Sequence, residues 1–153
     1  GRPEPPKGRI ECFLRKDSKT NTVRVYHHPV PDGRSAVTLY ETLETRDRLS
    51  LVEVELLTGR THQIRVHMKY IGHTLFNDER YGGNEILKGT TSSKYKQFVD
   101  NCFAICPRQA LHAKTLGFVH PTTGEEMFFD SEIPADMTAL IDKWRVYANT
   151  KEL

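Results

Sequence analysis

The stretch VEVELLTGRTHQIRVHMKYIG, residues 52–72, combines the two periodicities from which the fold is built. Its first half alternates apolar and charged side chains as a half-buried strand does, and its second half spaces apolar residues three and four apart as a helix does. Thr58 and Gly59 separate the halves, while Thr61 and Gly72 stand where a helix N-cap and a helix stop are expected. The stretch predicts a strand, a tight turn and an amphipathic helix from Thr61 to just before Gly72.

Basic side chains cluster at the start of this helix, which contains no acidic residue. The cluster consists of Arg60, His62, Arg65, His67 and Lys69. Helical spacing puts His62, Arg65 and Lys69 on one face, close to backbone N–H groups that favour anions. Arginine suits phosphates and carboxylates because its rigid fork of donors stays charged. His62 and Gln63 add hydrogen-bonding groups for a base or sugar, so the cluster predicts an anionic partner.

The rest of the chain predicts one α+β domain, with a mostly antiparallel or mixed sheet and a few flanking helices. Residues 1–8 contain three prolines and predict a linker or a truncated edge, and residues 9–149 form the domain. The predicted strands are Ile10–Leu14, Val23–Tyr26, Ala36–Glu44, Leu49–Leu57, Leu111–Val119 and Glu125–Phe129. Two further helices are predicted, from Ser92 or Ser93 to about Asn101 and from Asp136 to Ala148, the second with an apolar stripe that packs on the core.

Composition narrows the class of protein. The 153 residues carry a net charge of +2, and no apolar run approaches the roughly 20 residues that a membrane helix needs. The start of the chain lacks the apolar stretch of a signal peptide, so the sequence predicts a cytoplasmic protein with no membrane partner. The odd cysteine count argues against a disulfide framework.

Other kinds of site have weaker support. Cys102 and Cys106 have only His112 nearby as a further metal ligand, so buried free thiols are the better interpretation and no metal site is predicted. No glycine-rich phosphate loop, no G-x-S-x-G turn and no zinc-protease helix is present. The structural alternative for the basic cluster is a solvated helix face that is ion-paired to Glu53 or Glu55.

Two longer segments point to a family. The segment VEVELLTGRTHQIRVHMKYIGHTLFNDERYGG, residues 52–83, closely resembles the signature of the RluA-type pseudouridine synthases, and QALHAKTLGFVHPTTGEEMFFDSEIPADM, residues 109–137, resembles their C-terminal motif. The resemblance implies the C-terminal part of a catalytic domain. Such enzymes convert uridines in structured RNA, usually ribosomal RNA, to pseudouridine without a metal or organic cofactor, after flipping the uridine out of its stack.

The resemblance also implies roles for individual residues. Arg65 matches the arginine that forms an ion pair with the family's catalytic aspartate. The residues expected to shape the pocket or touch RNA are Arg60, His62, Gln63 and Lys69. The residues expected to hold the local fold of the motifs are Thr58, Gly59, Thr61, Asp78, Tyr81 and His112.

The chain departs from the family in one important respect. The family's aspartate lies in an upstream His-Arg-Leu-Asp motif, which this chain lacks, and a family tyrosine between that motif and the matching region is also missing. We therefore expect a catalytic portion that is inactive alone, with Arg65 solvated or paired elsewhere, and an open sheet edge through which copies could self-associate. The alternative is a non-catalytic RNA-binding module.

Overall fold

The computed structural model describes residues 1–88 and 92–151 and contains six strands and three α-helices within those ranges. A single 3-10 turn, Glu79–Tyr81, follows the first helix. The strands are β1 (Lys7–Asp17), β2 (Thr22–Tyr26), β3 (Arg34–Arg46), β4 (Leu49–Leu56), β5 (Thr115–Val119) and β6 (Glu126–Asp130). The helices are α1 (Gln63–Tyr70), α2 (Ser93–Ile105) and α3 (Ala135–Lys151). Among these helices, none is long and apolar enough to span a membrane.

The main sheet has the strand order β2-β1-β3-β4, and every neighbouring pair is antiparallel. Alternation along β1 buries Ile10, Cys12 and Leu14 on one face, as the two-residue period of a strand requires. The turn between β3 and β4 places Asp47 at φ 55°, a conformation that aspartate tolerates better than most residues. The predicted α+β class with an antiparallel sheet is confirmed.

The N-terminal segment is more ordered than its prolines indicated. Lys7 and Gly8 already belong to β1, where they pair with Glu41 and Tyr40 of β3. The Tyr40 hydroxyl donates to the carbonyl of Pro5 at 2.8 Å, and Pro3 is fully buried. Residues 1–8 were expected to form a linker or a truncated edge, whereas residues 7 and 8 are part of β1 and Pro3 is buried.

Two groups of apolar side chains form most of the core. The first joins the main sheet to α1 and the 3-10 turn. Its buried members are Cys12, Leu14, Val23, Ala36, Val66 and Tyr81. The second lies between α2 and α3, where the predicted stripe of α3 buries Leu140 and Trp144. Cys102 and Cys106 belong to this group as buried free thiols, and burial raises the pKa of Cys102 to about 11.

The β5–β6 hairpin leaves its apolar side chains in solvent. Leu116, Phe118 and Phe129 occupy one face of the hairpin and are 59%, 42% and 52% exposed. The rings of Phe118 and Phe129 stack on each other with their centroids 6.0 Å apart. The strand predicted from residue 111 begins only at Thr115, because the Leu111 carbonyl accepts from Nη1 of an arginine instead of joining a ladder.

Candidate functional site around Arg65

The helix that carries the basic cluster begins differently from the sequence prediction. The N-cap is His62, in the left-handed region at φ 52°, and Thr61 is exposed and does not cap the helix. Gln63, the first residue of α1, holds the preceding turn instead, since its Oε1 accepts from the Arg60 backbone N–H at 3.0 Å and from the Thr58 hydroxyl at 2.7 Å. The expectation that Thr61 caps α1 is therefore wrong.

Gln63 lies inside the protein rather than on an RNA-facing surface. It is 3% exposed, and its Nε2 donates to the Val37 carbonyl at 3.0 Å and to the Thr38 hydroxyl at 2.9 Å. Thr58 also contacts β3, because its hydroxyl accepts from the Val37 backbone N–H at 2.9 Å. With its amide oxygen and nitrogen both engaged, Gln63 fastens α1 to β3, and its burial leaves little of its side chain accessible to RNA.

Arg65 is held by a carboxylate of its own chain. Its Nε donates to Asp78 Oδ2 at 2.9 Å and its Nη2 donates to Asp78 Oδ1 at 2.7 Å. The side chain of Asp78 is 0% exposed and that of Arg65 is 14% exposed, so this pair is not a solvated helix face paired to Glu53 or Glu55. The paired carboxylate raises the pKa of Arg65 above its usual range. Arg65 therefore has a partner here, although an aspartate outside the chain was expected.

The loop around Asp78 fixes that carboxylate in place. The Asn77 N–H donates to the Gly83 carbonyl at 2.8 Å, and the Gly83 N–H donates to the Asp78 carbonyl at 2.6 Å. A Cβ on Gly83 would lie 2.1 Å from the Leu75 carbonyl oxygen, so the loop closes only with glycine at this position. Asn77 sits at φ 59°, a region that asparagine tolerates. The loop thus presents the Asp78 carboxylate to Arg65 in one fixed orientation.

Tyr81 links the 3-10 turn to β2 and to the start of α1. Its buried hydroxyl accepts from the Val23 backbone N–H at 3.0 Å and lies 2.8 Å from His62 Nδ1. The hydroxyl proton is therefore available to Nδ1, which assigns the ring hydrogen of His62 to Nε2. Burial, together with the nearby charges of Arg65 and Arg80, lowers the pKa of His62. His62 is therefore a neutral hydrogen-bond donor beside a cationic surface.

His67 does not belong to the basic surface. It is 0% exposed, with Nδ1 2.7 Å from the Thr38 hydroxyl and Nε2 2.9 Å from the Cys12 sulfur. Its two ring nitrogens therefore face a hydroxyl and a thiol, each of which can donate or accept. Burial lowers the pKa of His67 to about 4. His67 is close to the basic residues in the sequence, but in the fold it lies in the core and not with His62, Arg65 and Lys69.

The other predicted site residues are spread more widely. Lys69 is exposed, with its ammonium 6.0 Å from the centre of the Tyr81 ring. The Nε of Arg60 donates to the Ser35 carbonyl at 2.9 Å, which ties it to the start of β3. His112 contacts the Ser131 hydroxyl at 2.9 Å, beside the β5–β6 hairpin. An added Cβ at Gly59 would meet nothing, so the structure gives no steric reason for glycine there.

A cleft of about 600 Å³ opens beside Arg65. Its lining residues are Arg65, Asn77, Glu79, Arg80, Pro107, Arg108 and Gln109. The sequence interpretation did not single out Arg80 or Arg108. Arg80 and Arg108 come close to Arg65 only in the folded chain. Arg108 lies 43 residues further along the chain than Arg65, and no helical or strand period connects these positions.

Comparisons with known proteins identify the family. Residues 2–70 match the model of the RNA pseudouridylate synthase family. An uncharacterized RNA pseudouridine synthase of Chlorobaculum parvum is 38% identical over 95% of this chain and 44% of its own length. The ribosomal large subunit pseudouridine synthase D of Vibrio parahaemolyticus is 39% identical over 90% of this chain and 40% of its own length. The chain belongs to the RluA-type pseudouridine synthase family.

The same comparisons describe how much of a family member is present. The chloroplastic RNA pseudouridine synthase 2 of Arabidopsis thaliana is 39% identical over 92% of this chain and 35% of its own length. The chain therefore spans less than half the length of these curated relatives. A solved structure of the human RNA pseudouridylate synthase domain containing 4 superposes with a TM-score of 0.64 over 94% of this chain and 58% of its own. At 22% identity, that structure supports the fold alone.

Proposed function

We propose that this chain is the C-terminal catalytic portion of an enzyme that isomerises uridine to pseudouridine in structured RNA. The reaction breaks the glycosidic bond to N1 and rejoins the same base through C5, with the C5 hydrogen released as a proton and the N1 position protonated. The target class that we propose is ribosomal RNA, because the Vibrio parahaemolyticus relative is named for the large ribosomal subunit. No cofactor is proposed, since the isomerisation changes no oxidation state.

The observation that carries this proposal is the fixed position of Arg65 at the cleft. A bidentate bond to buried Asp78 orients the guanidinium through Nε and Nη2, and among the described residues no acceptor is hydrogen-bonded to its Nη1. Donors fixed in advance need no reorganisation when a charged group forms or arrives beside them. Arg65 therefore suits the family role of steadying a reactive carboxylate or the substrate in an electropositive cleft.

The chain alone lacks an available nucleophile in this proposal. Both oxygens of Asp78 are taken by Arg65, and both oxygens of Asp136 accept from Arg108. Among the cleft-lining residues that the structure describes, the one carboxylate is that of Glu79, and it is exposed. A carboxylate from outside this chain would have to approach Arg65 for the reaction to occur.

The test is tritium release from C5 of labelled uridine in ribosomal RNA that lacks pseudouridine. We expect release by a longer protein that contains this chain together with a His-Arg-Leu-Asp motif, and none by the chain alone. Arg65→Gln in the longer protein should lower release at least 100-fold, because a donor aimed at developing charge contributes factors of about 10² to 10³. Arg9→Gln, on an exposed residue paired to Glu11, is the matched control.

The second candidate function is a non-catalytic RNA-binding module, which the engaged state of Asp78 favours. It predicts that the longer protein binds the RNA but releases no tritium. Release by the chain alone would contradict the proposed division of roles and direct attention to its own carboxylates.

A further inference from the structure

The Arg65 cleft brings together three guanidinium groups that are far apart in the sequence. Arg65 comes from α1, Arg80 from the 3-10 turn, and Arg108 from the segment after α2, with the Gln109 side chain beside them. The one apolar side chain in the lining is that of Pro107. A flat base needs apolar or aromatic surface to stack on, whereas a phosphate needs clustered N–H donors. The composition of the lining favours a phosphate.

Two of the three arginines are held rigid from behind. Arg108 donates from Nε to Asp136 Oδ2 at 2.9 Å and from Nη2 to Oδ1 at 3.0 Å, and its Nη1 donates to the carbonyls of Gln109 and Leu111. Arg65 is held in the same bidentate way by Asp78. A guanidinium that is already ordered loses little further side-chain entropy when an anion binds.

Arg80 differs from the other two because its partners are neutral. Its Nη1 donates to the carbonyls of Thr20 and Asn21 at 3.3 and 3.2 Å, at the turn between β1 and β2. No carboxylate of the described residues lies within ion-pair distance of it, although Glu79 lines the same cleft. The backbone carbonyls therefore position a side chain whose full charge, with Nε and Nη2 as donors, is available to a ligand.

The surroundings of the cleft are also electropositive. Burial lowers the pKa of His62, and the nearby charges of Arg65, Arg80 and Lys16 lower it further against the opposing charge of Asp78. Lys69 adds a further exposed ammonium on the α1 face. When a protein holds its cations in one fixed cluster, their contacts with the phosphates of a nucleic acid both strengthen the binding and orient the nucleic acid.

We propose that this cleft is a phosphate subsite, in which Arg80 binds a backbone phosphate of the RNA substrate next to the nucleotide that Arg65 faces. Arg108 adds the one N–H of its Nη2 that is not engaged by Asp136. The assignment rests on the proposed function for the identity of the ligand as RNA. The subsite adds a position to the proposed function, namely one phosphodiester between the 3-10 turn and the segment after α2. Arg80 supplies the unpaired charge, and Arg108 and Gln109 complete the wall.

The experiment measures binding of the chain to a fluorescein-labelled 20-nucleotide RNA hairpin between 50 and 300 mM KCl. Losing one phosphate contact reduces the slope of log Kd against log salt by about 0.7 to 0.9. At 0.1 M salt this corresponds to about sixfold weaker binding for Arg80→Gln. Arg80→Lys keeps the charge and should keep most of the slope, and Arg9→Gln, at the far end of β1, should match the wild type.

A second measurement tests whether the cleft binds an anion independently of whether the chain binds RNA. Inorganic phosphate is titrated into ¹⁵N-labelled chain while the Nε–Hε signals of the arginines are followed, and those of Arg80 and Arg108 should move together. RNA binding with an unchanged slope in Arg80→Gln would overturn the subsite. If the chain does not bind RNA at all, the proposed RNA role of the chain fails. Movement of both signals with phosphate would then still support an anion site, and unmoved signals would overturn it.

Discussion

Replacing Asp78 with asparagine tests whether the buried ion pair holds the site together. The substitution keeps the shape of the side chain, removes its charge and turns one acceptor into an NH₂ group that faces a donor of Arg65. Removing one partner of a buried pair costs about 3 to 5 kcal/mol, because the remaining charge is left uncompensated. The Arg65 side chain is 14% exposed and retains some water, so we expect about 3 kcal/mol for Asp78→Asn.

The assay is urea unfolding followed by circular dichroism. With a slope of about 2 kcal/mol per molar urea, within the usual range for small proteins, the midpoint should fall by about 1.5 M. Asp130→Asn is the matched control, because its ion pair with Lys114 is about half exposed on both sides and exposed pairs contribute little. The midpoint of that control should stay close to that of the wild type.

A double variant identifies the cause of the loss. Arg65→Met combined with Asp78→Asn removes the orphaned charge, and its midpoint should therefore lie closer to the wild type than that of Asp78→Asn alone. If Asp78→Asn loses no more stability than Asp130→Asn, the argument that a buried carboxylate orders Arg65 is refuted.

Two further predictions follow from buried histidine and exposed apolar surface. His67 is neutral in the fold because burial lowers its pKa to about 4, so its contribution of about 3 kcal/mol is complete above pH 6.5 and is lost as the pH falls from 6.5 to 4. Unfolding free energies measured across that range should show the loss, and His67→Gln should flatten it. The chain should also self-associate through the exposed β5–β6 face, and Leu116→Ser with Phe129→Ser should lower the mass found by light scattering. A monomeric wild type at high concentration would contradict this.

The strands and helices were predictable where a local period decides them. The alternation in β3 and β4 and the apolar stripe of α3 are visible in short windows of sequence, and each sits close to its predicted bounds. The strand pattern of β5 was also visible, but both faces of the hairpin lie in solvent. The local pattern therefore predicted the strand and did not predict that its apolar side chains are exposed. The resemblance to the family supplied what periodicity could not, namely the class of enzyme.

The site was harder to predict because its contacts join distant residues. Helical spacing separates His67 from His62, Arg65 and Lys69, but it does not show the partners of His67, because Cys12 and Thr38 lie 55 and 29 residues away. Gln63 was expected to shape the pocket or touch RNA, whereas two segments, the turn after β4 and strand β3, converge on its amide. The motif identified Arg65 as important, but only the folded loop shows which carboxylate of this chain it meets.

The closed loop at Gly83 sets limits on how this protein can diverge. An L-amino acid there would collide with the Leu75 backbone, so descendants that change Gly83 would displace Asp78 and, with it, Arg65. Glu79, four residues before Gly83, is exposed and carries no such steric constraint. In a saturation library, variation should therefore be eliminated at Gly83 and tolerated at Glu79. New substrate preferences can then arise at the rim of the cleft while the geometry beneath it stays unchanged.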